Sequence, residues 1–187
     1  MMKVTALNYK AIVGGPLNGA LAIHLTIGGL EGTEYTGPAL LELIVNFPKG
    51  AAKILYIDGS ISGADDTVMF GLLKSLRDWE YHIVVESAGA VFPSWFALCH
   101  WNIVVIDTEP WLLYECQEIR LYFTKGTPEP ALPEKKAQAY YLLPKKDVPG
   151  GELFSFVKNS KYPWGIIFPT SRMIMEPVGE ISKQDKV

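Results

Sequence analysis

A chain of 187 residues that is 49% hydrophobic and 20% charged has the apolar content to bury a core, which excludes a disordered tail, a collagen-like repeat or a low-complexity linker. Its 17 Lys and Arg stand against 20 Asp and Glu, a formal net charge of -3, so no chain-wide cationic field draws in a nucleic acid or an anionic membrane. The two cysteines, Cys99 and Cys116, sit beside large apolar or aromatic neighbours, the setting of buried thiols in a reducing compartment. The opening Met1 to Thr5 carries no basic and apolar leader, and no apolar run reaches the roughly 18 residues of a membrane span. A cytoplasmic protein is expected.

Short β-branched apolar blocks alternate with helix-like stretches, the pattern of β-α units on a largely parallel sheet. An edge strand is expected over Val4–Val13 and a core strand over Ala20–Ile27. A glycine-rich turn from Gly28 to Gly37 then leads into a helix over Pro38–Phe47, with proline suited to its first turn. Ala52–Ile57 is the next strand, Asp58–Ala64 a loop, and Asp65–Glu80 a helix in which Val68, Leu72, Leu73 and Leu76 keep helical spacing. Asp65 or Asp66 caps it.

The cycle repeats with a strand over His82–Glu86, a short helix over Pro93–Cys99 and a strand over Asn102–Asp107. Glu118–Thr124 and Ala139–Leu143 are strands on either side of an irregular Pro-rich stretch, Lys125–Glu134. A helix over Gly151–Ser160 and a strand over Trp164–Phe168 close the pattern. Residues 1–179 are read as a single domain without a linker, and 180–187 as a polar tail that frays. Six or seven strands in this order make either an open doubly wound sheet or an incomplete (β/α) barrel, and periodicity does not choose between them.

Chemistry is sought where strands give way to loops. Asp58, Gly59 and Ser60 stand at such a place, where backbone N–H groups and a helix dipole can hold an anion or a ribose. The plain alternative is a Gly-Ser turn capped by Asp65. Neither a Gly-Lys-Ser/Thr loop nor a complete G-x-G-x-x-G is present. Glu86, followed by Ser87, and Asp107 end the next strands. With Asp58 these carboxylates line one mouth, unless each simply caps the turn that follows.

His24, His82 and His100 are too scattered for a metal triad, so no metal site is expected. Cys99 and His100 are adjacent and point apart, and no nucleophile-and-base arrangement is available. No catalytic residue is assigned. Trp95, Phe96, Trp101, Trp111, Leu112, Leu113 and Tyr114 crowd the central third, as core or as a face for a protein partner or a second copy. An aromatic content of 12% and a mean hydropathy of +0.15 also favour a covered face, as in a homo-oligomer. Lys135-Lys136 and Lys145-Lys146 are brief basic pairs that form no nucleic-acid groove.

Several blocks between about Ala20 and Pro177 resemble, in order, the radical S-adenosylmethionine enzymes, in particular the short 7-carboxy-7-deazaguanine synthase branch that builds the deazapurine precursor of queuosine. The family's strand into R-L-x-G-C-N-L-x-C-x-W-C lies over AIHLTIGGLEGTEY, residues 22–35. Its strand end T-G-G-E-P lies over Lys53–Ile61, and its E-T-N-G over Ile83–Gly89, the best preserved block. Trp101–Asp107, Gln117–Leu121 and Tyr140–Pro144 match later strands.

The resemblance implies the fold: α/β, an incomplete (β/α) barrel of about six mostly parallel strands. It also implies a pocket at Asp58, Gly59, Ser60, Glu86, Ser87 and Asp107, with residual binding of S-adenosylmethionine or a nucleotide. The family's three cluster cysteines, however, become Gly28, Gly32 and Tyr35, and its magnesium-binding Asp-Thr becomes Thr36-Gly37. A [4Fe-4S] cluster needs three soft thiolates from one loop, which glycine and a phenol do not supply. Cys99 and Cys116 lie outside that loop and are too few.

The expected protein runs no radical chemistry and carries no cofactor. It acts by binding a protein partner, itself or a nucleotide-like ligand. The alternative is a non-radical enzyme of deazapurine or nucleotide metabolism that uses the strand-end carboxylates. An open polar mouth favours a ligand; a mouth plugged by Tyr35 and Trp111 favours a scaffold.

Overall fold

In the computed structural model, which describes residues 1–29, 31–47, 53–88, 92–107, 116–132, 137–146 and 148–168, the apolar runs become strands. They are β1 (Met2–Ala11), β2 (Leu21–Ile27), β3 (Thr33–Tyr35), β4 (Ile54–Gly59), β5 (His82–Ser87), β6 (Trp101–Ile106), β7 (Glu118–Phe123), β8 (Ala139–Pro144) and β9 (Gly165–Ile166). One sheet takes them in the order β3-β1-β2-β4-β5-β6-β7-β8-β9. From β2 to β9 neighbouring strands are parallel, while β1 is antiparallel to β2 and β3. This is the mixed α/β, mostly parallel sheet of a partial barrel.

The sheet is wider than six or seven strands. It has nine, and the one that no expected strand block covers is β3, which lies inside the stretch read as a glycine-rich turn. Three residues are too few to show a period of two, and β3 exists because β1 offers Met2, Lys3 and Val4 as partners for Tyr35, Glu34 and Thr33. The strand expected at the edge, β1, is therefore covered by β3 over those three residues.

Helices α1 (Gly37–Val45), α2 (Asp66–Asp78) and α3 (Gly150–Asn159) cover the outer face. Pro38 sits in the first turn of α1, and the Asp65 carboxylate caps α2 by accepting from Thr67 N at 3.0 Å and Val68 N at 3.1 Å. Leu40 and Ile44 of α1 and Met69, Leu72, Leu73 and Leu76 of α2 pack against Leu25, Ile57 and Val85 of the sheet, joined by Trp95 and Phe96. Leu153 of α3 packs in a second cluster with Val104, Leu121, Leu142 and Trp164. Trp95 and Phe96 are thus core, Trp101 is half-buried, and Trp111, Leu112, Leu113 and Tyr114 lie outside the described residues, as do Lys135-Lys136 and the tail 180–187. No helix among the described residues is long and apolar enough to cross a membrane.

The inner face is closed at its amino end by the β1–β2 loop. Ile12 packs with Ala22, Tyr56, Val84 and Ile103, Arg120 Nη2 donates to the Val13 carbonyl at 2.7 Å, and Gly15 N donates to the Tyr141 hydroxyl at 3.2 Å. Gly14 and Gly15 have φ of 82° and 63°, a left-handed conformation natural to glycine that brings the chain against Tyr141 and Glu118.

Where β5 begins, His82 and His100 stack with ring centroids 4.5 Å apart. His100 Nδ1 accepts from Ile83 N at 3.0 Å, and His82 Nε2 is buried without a partner among the described residues. Burial lowers the pKa of His82; burial, then His82 and Arg77, lower that of His100. The folded state therefore takes up protons less readily than the unfolded chain, whose histidines titrate near about 6.5. Stability is complete above that pH and is lost as the pH falls toward the depressed folded-state values. Urea midpoints measured from about pH 7.5 to about pH 5 should fall for the native chain and fall less for His82→Gln/His100→Gln; equal slopes would remove the pair from the account.

Candidate functional site

Side chains alternate across a strand, so residues two apart share a face. On the inner face this rule collects His24 and Thr26 from β2, Tyr56 and Asp58 from β4, Glu86 from β5, Val105 from β6, and Glu118, Arg120 and Tyr122 from β7. At the carboxyl ends of these strands lies a cleft of about 530 Å³. Five of the six residues expected in a pocket line it together: Asp58, Gly59, Glu86, Ser87 and Asp107. Thr26, Ala88, Val105 and Tyr122 complete its walls.

Ser60 stands apart. It is exposed, its N–H donates to the Ile27 carbonyl at 2.7 Å, and its own carbonyl accepts from Gly63 N at 3.1 Å. It staples the β4 loop to the end of β2. The anion site imagined at this turn is likewise filled from within, since Asp65 places its own carboxylate on the α2 N-terminus. The Val68 N–H, ahead of the other contacts, holds that carboxyl below its usual range.

Each cleft carboxylate is matched by a donor of the same chain. Asp58 lies 2.8 Å from His24 Nε2, accepts from the Thr26 hydroxyl at 2.8 Å, and lies 3.4 Å from Lys10 Nζ. Burial alone would raise its pKa, but His24, Thr26 and Lys10 together lower it to about 2. Glu86 accepts from the Tyr56 hydroxyl and from Arg120 Nη1 at 3.0 Å. Burial, then the Glu86 charge, push the Tyr56 phenol far above its ordinary value, so it stays a donor. Asp107, at the exposed rim, pairs with Lys145 Nζ at 2.7 Å.

Behind Glu86 the network continues inward. Arg120 Nε donates to Glu118 Oε1 at 2.6 Å, and Trp101 Nε1 to Glu118 Oε2 at 3.0 Å. Glu118 is fully buried. Reasoning from strand ends missed this layer: Thr26, Tyr56, Arg120 and Tyr122 lie within strands. The alternation Glu118-x-Arg120-x-Tyr122 was the readable sign, since three polar residues at a period of two announce one polar face.

Among the described residues no three His, Cys, Asp or Glu side chains converge as metal ligands. Burial pushes Cys99 up to about 12 and Cys116 up to about 11, which leaves both as neutral thiols at neutral pH.

The positions aligned with cluster cysteines do not fit an iron-sulfur cluster. Gly28 has φ of 79°, and a β-carbon there would overlap that of Ser60. A β-carbon at Gly32 would lie 2.8 Å from the Val4 carbonyl oxygen. Tyr35 pairs with Met2 beyond the far edge of β1, outside the cleft lining. The other residue named as a plug, Trp111, lies outside the described residues.

No family profile matches the sequence, and no curated protein matches it. Among solved structures, QueE from Escherichia coli, a 7-carboxy-7-deazaguanine synthase of the radical-SAM class, superposes with a TM-score of 0.62 at 12% identity, over 89% of this chain and 93% of that one. At that identity the likeness is one of architecture alone: the chain shares a partial-barrel fold with QueE.

Proposed function

We propose that this chain is a degenerate, non-radical member of that architecture whose strand-end cleft binds a small nucleotide-like molecule. One observation carries the reading: the cleft is built at the carboxyl edge of the sheet, where ligands of such folds enter, while the neighbouring glycine loop is closed to sulfur ligands. Hydroxyls of Thr26 and Ser87 and the oxygens of Asp58 and Glu86 offer acceptors, and Tyr122, 37% exposed, offers a ring face for stacking.

The pairing of the carboxylates favours binding over acid-base catalysis by the same residues. At about 2, Asp58 is a weak base, and Glu86 and Asp107 are engaged by Arg120 and Lys145. Calorimetric titration with S-adenosylmethionine, purine nucleosides and purine nucleotides tests the proposal. Binding of at least one, weakened about tenfold or more by Glu86→Gln through loss of a charged hydrogen bond, is expected. No heat from any of the three classes, or a brown cluster-bearing protein after anaerobic iron and sulfide treatment of the native chain, would overturn it.

A protein partner or a second copy is a second reading. It is favoured by Trp79, Phe154 and Phe168, which are 51%, 64% and 62% exposed. Light scattering that gives a monomer across dilutions would remove self-association.

A further inference from the structure

We infer that residues 28–29 and 31–35 have become a sheet-closing element whose backbone leaves no room for an iron-sulfur cluster, so that restoring three thiols would not restore iron binding. This goes beyond three lost ligands. It deepens the non-radical half of the proposed function; ligand binding in the cleft is read separately, by the calorimetric titration.

The segment is committed at both ends. At its start, Gly28 N donates to the Lys3 carbonyl at 2.9 Å, and the Thr5 hydroxyl donates to the Gly28 carbonyl. On its other side Gly28 meets Ser60: an added β-carbon would overlap the Ser60 β-carbon and lie 3.0 Å from the Ser60 carbonyl oxygen. Ser60 has little freedom to retreat, because its N–H and carbonyl are bonded to Ile27 and Gly63. Its neighbour Gly59, with φ of 102°, packs equally close to the Ile27 backbone. The β2 and β4 loops are thus zipped backbone to backbone where a cysteine thiolate would have to emerge.

At the other end, Thr33, Glu34 and Tyr35 pair with Val4, Lys3 and Met2. Gly32 enters this pairing at a point where a β-carbon would lie 2.8 Å from the Val4 oxygen and 3.2 Å from the Val4 carbonyl carbon. Position 28 continues β2 on one side of β1, and position 35 lies in β3 on the other side. Two strand spacings, roughly 10 Å, separate them, whereas a cluster loop must gather its sulfurs on one compact iron core. The segment gains a different role: it covers the edge of β1 at Met2 and Val4, both buried, and an uncovered strand edge invites pairing with other chains.

The test is the variant Gly28→Cys/Gly32→Cys/Tyr35→Cys, treated anaerobically with ferrous iron and sulfide, with metal content, visible absorbance and melting temperature as readouts. A folded variant with well under about one iron per chain is expected; about four irons and four sulfides per folded chain would overturn the inference. If the triple variant does not fold, Gly28→Ala decides alone. It should lower the melting temperature by roughly 5 °C or more through overlap and left-handed strain, while Gly71→Ala, where nothing lies within 4 Å of an added β-carbon, should not. An unchanged melting temperature for Gly28→Ala would show that the zipper yields, and would sink the inference.

Discussion

Replacing Arg120 with alanine is expected to remove about 3–5 kcal/mol of folding stability, more than any surface ion pair in the chain. The guanidinium ties three elements: Nε to Glu118 of β7, Nη1 to Glu86 of β5, and Nη2 to the Val13 carbonyl of the β1–β2 loop. Without it Glu118, fully buried, is left among the described residues with the Trp101 N–H at 3.0 Å, and an uncompensated buried carboxyl group is one of the costliest defects in a protein. Arg120→Lys should fall between, because an ammonium cannot reproduce the planar fork. By contrast, breaking the exposed Lys145–Asp107 pair at 2.7 Å should change stability by at most about 1 kcal/mol. Urea denaturation of the three variants checks the order. A loss under about 1 kcal/mol for Arg120→Ala would mean that water already reaches the network.

Trp95→Ala should cost about 3–5 kcal/mol, the range for deleting a buried large aromatic. Trp95 is fully buried in the cluster shared by α1, α2 and the outer sheet face and meets Phe96 edge-on at a centroid distance of 4.7 Å. Its indole N–H, however, has no hydrogen-bond partner among the described residues. Trp95→Phe should therefore cost no more than about 1.5 kcal/mol, because it removes volume and no bond. Equal losses for the two variants in denaturant melts would show that the N–H is in use. The outcome also bears on the aromatic block around Trp95: its large effect would come from core packing rather than from an interface.

The candidate site was legible in part, for a definite reason. Asp58, Glu86 and Asp107 were readable because parallel strands end in polar residues at the mouth of such a fold. The side chains that pair with them were not. Lys10, His24 and Arg120 come from other strands, and only the sheet register brings Arg120 to Glu86 across β6. Ser60 followed Gly59 in the chain, but the turn geometry carried it out of the cleft and against Gly28. Local sequence does not record such a rotation.

What the sequence determined by itself was local and periodic: the order of strands and helices, the Asp65 cap of α2, the helical stripe Leu72, Leu73 and Leu76, and the absence of sulfur at positions 28, 32 and 35. These follow from neighbours a few residues apart, where capping and side-chain periodicity act. The tertiary structure alone decided that β1 would turn antiparallel and recruit Thr33–Tyr35, and that the carboxylates would meet their donors in one cleft. Those outcomes depend on hydrogen-bond register and charge pairing between residues up to 48 positions apart, distances over which a chain pattern carries no information until the sheet has formed.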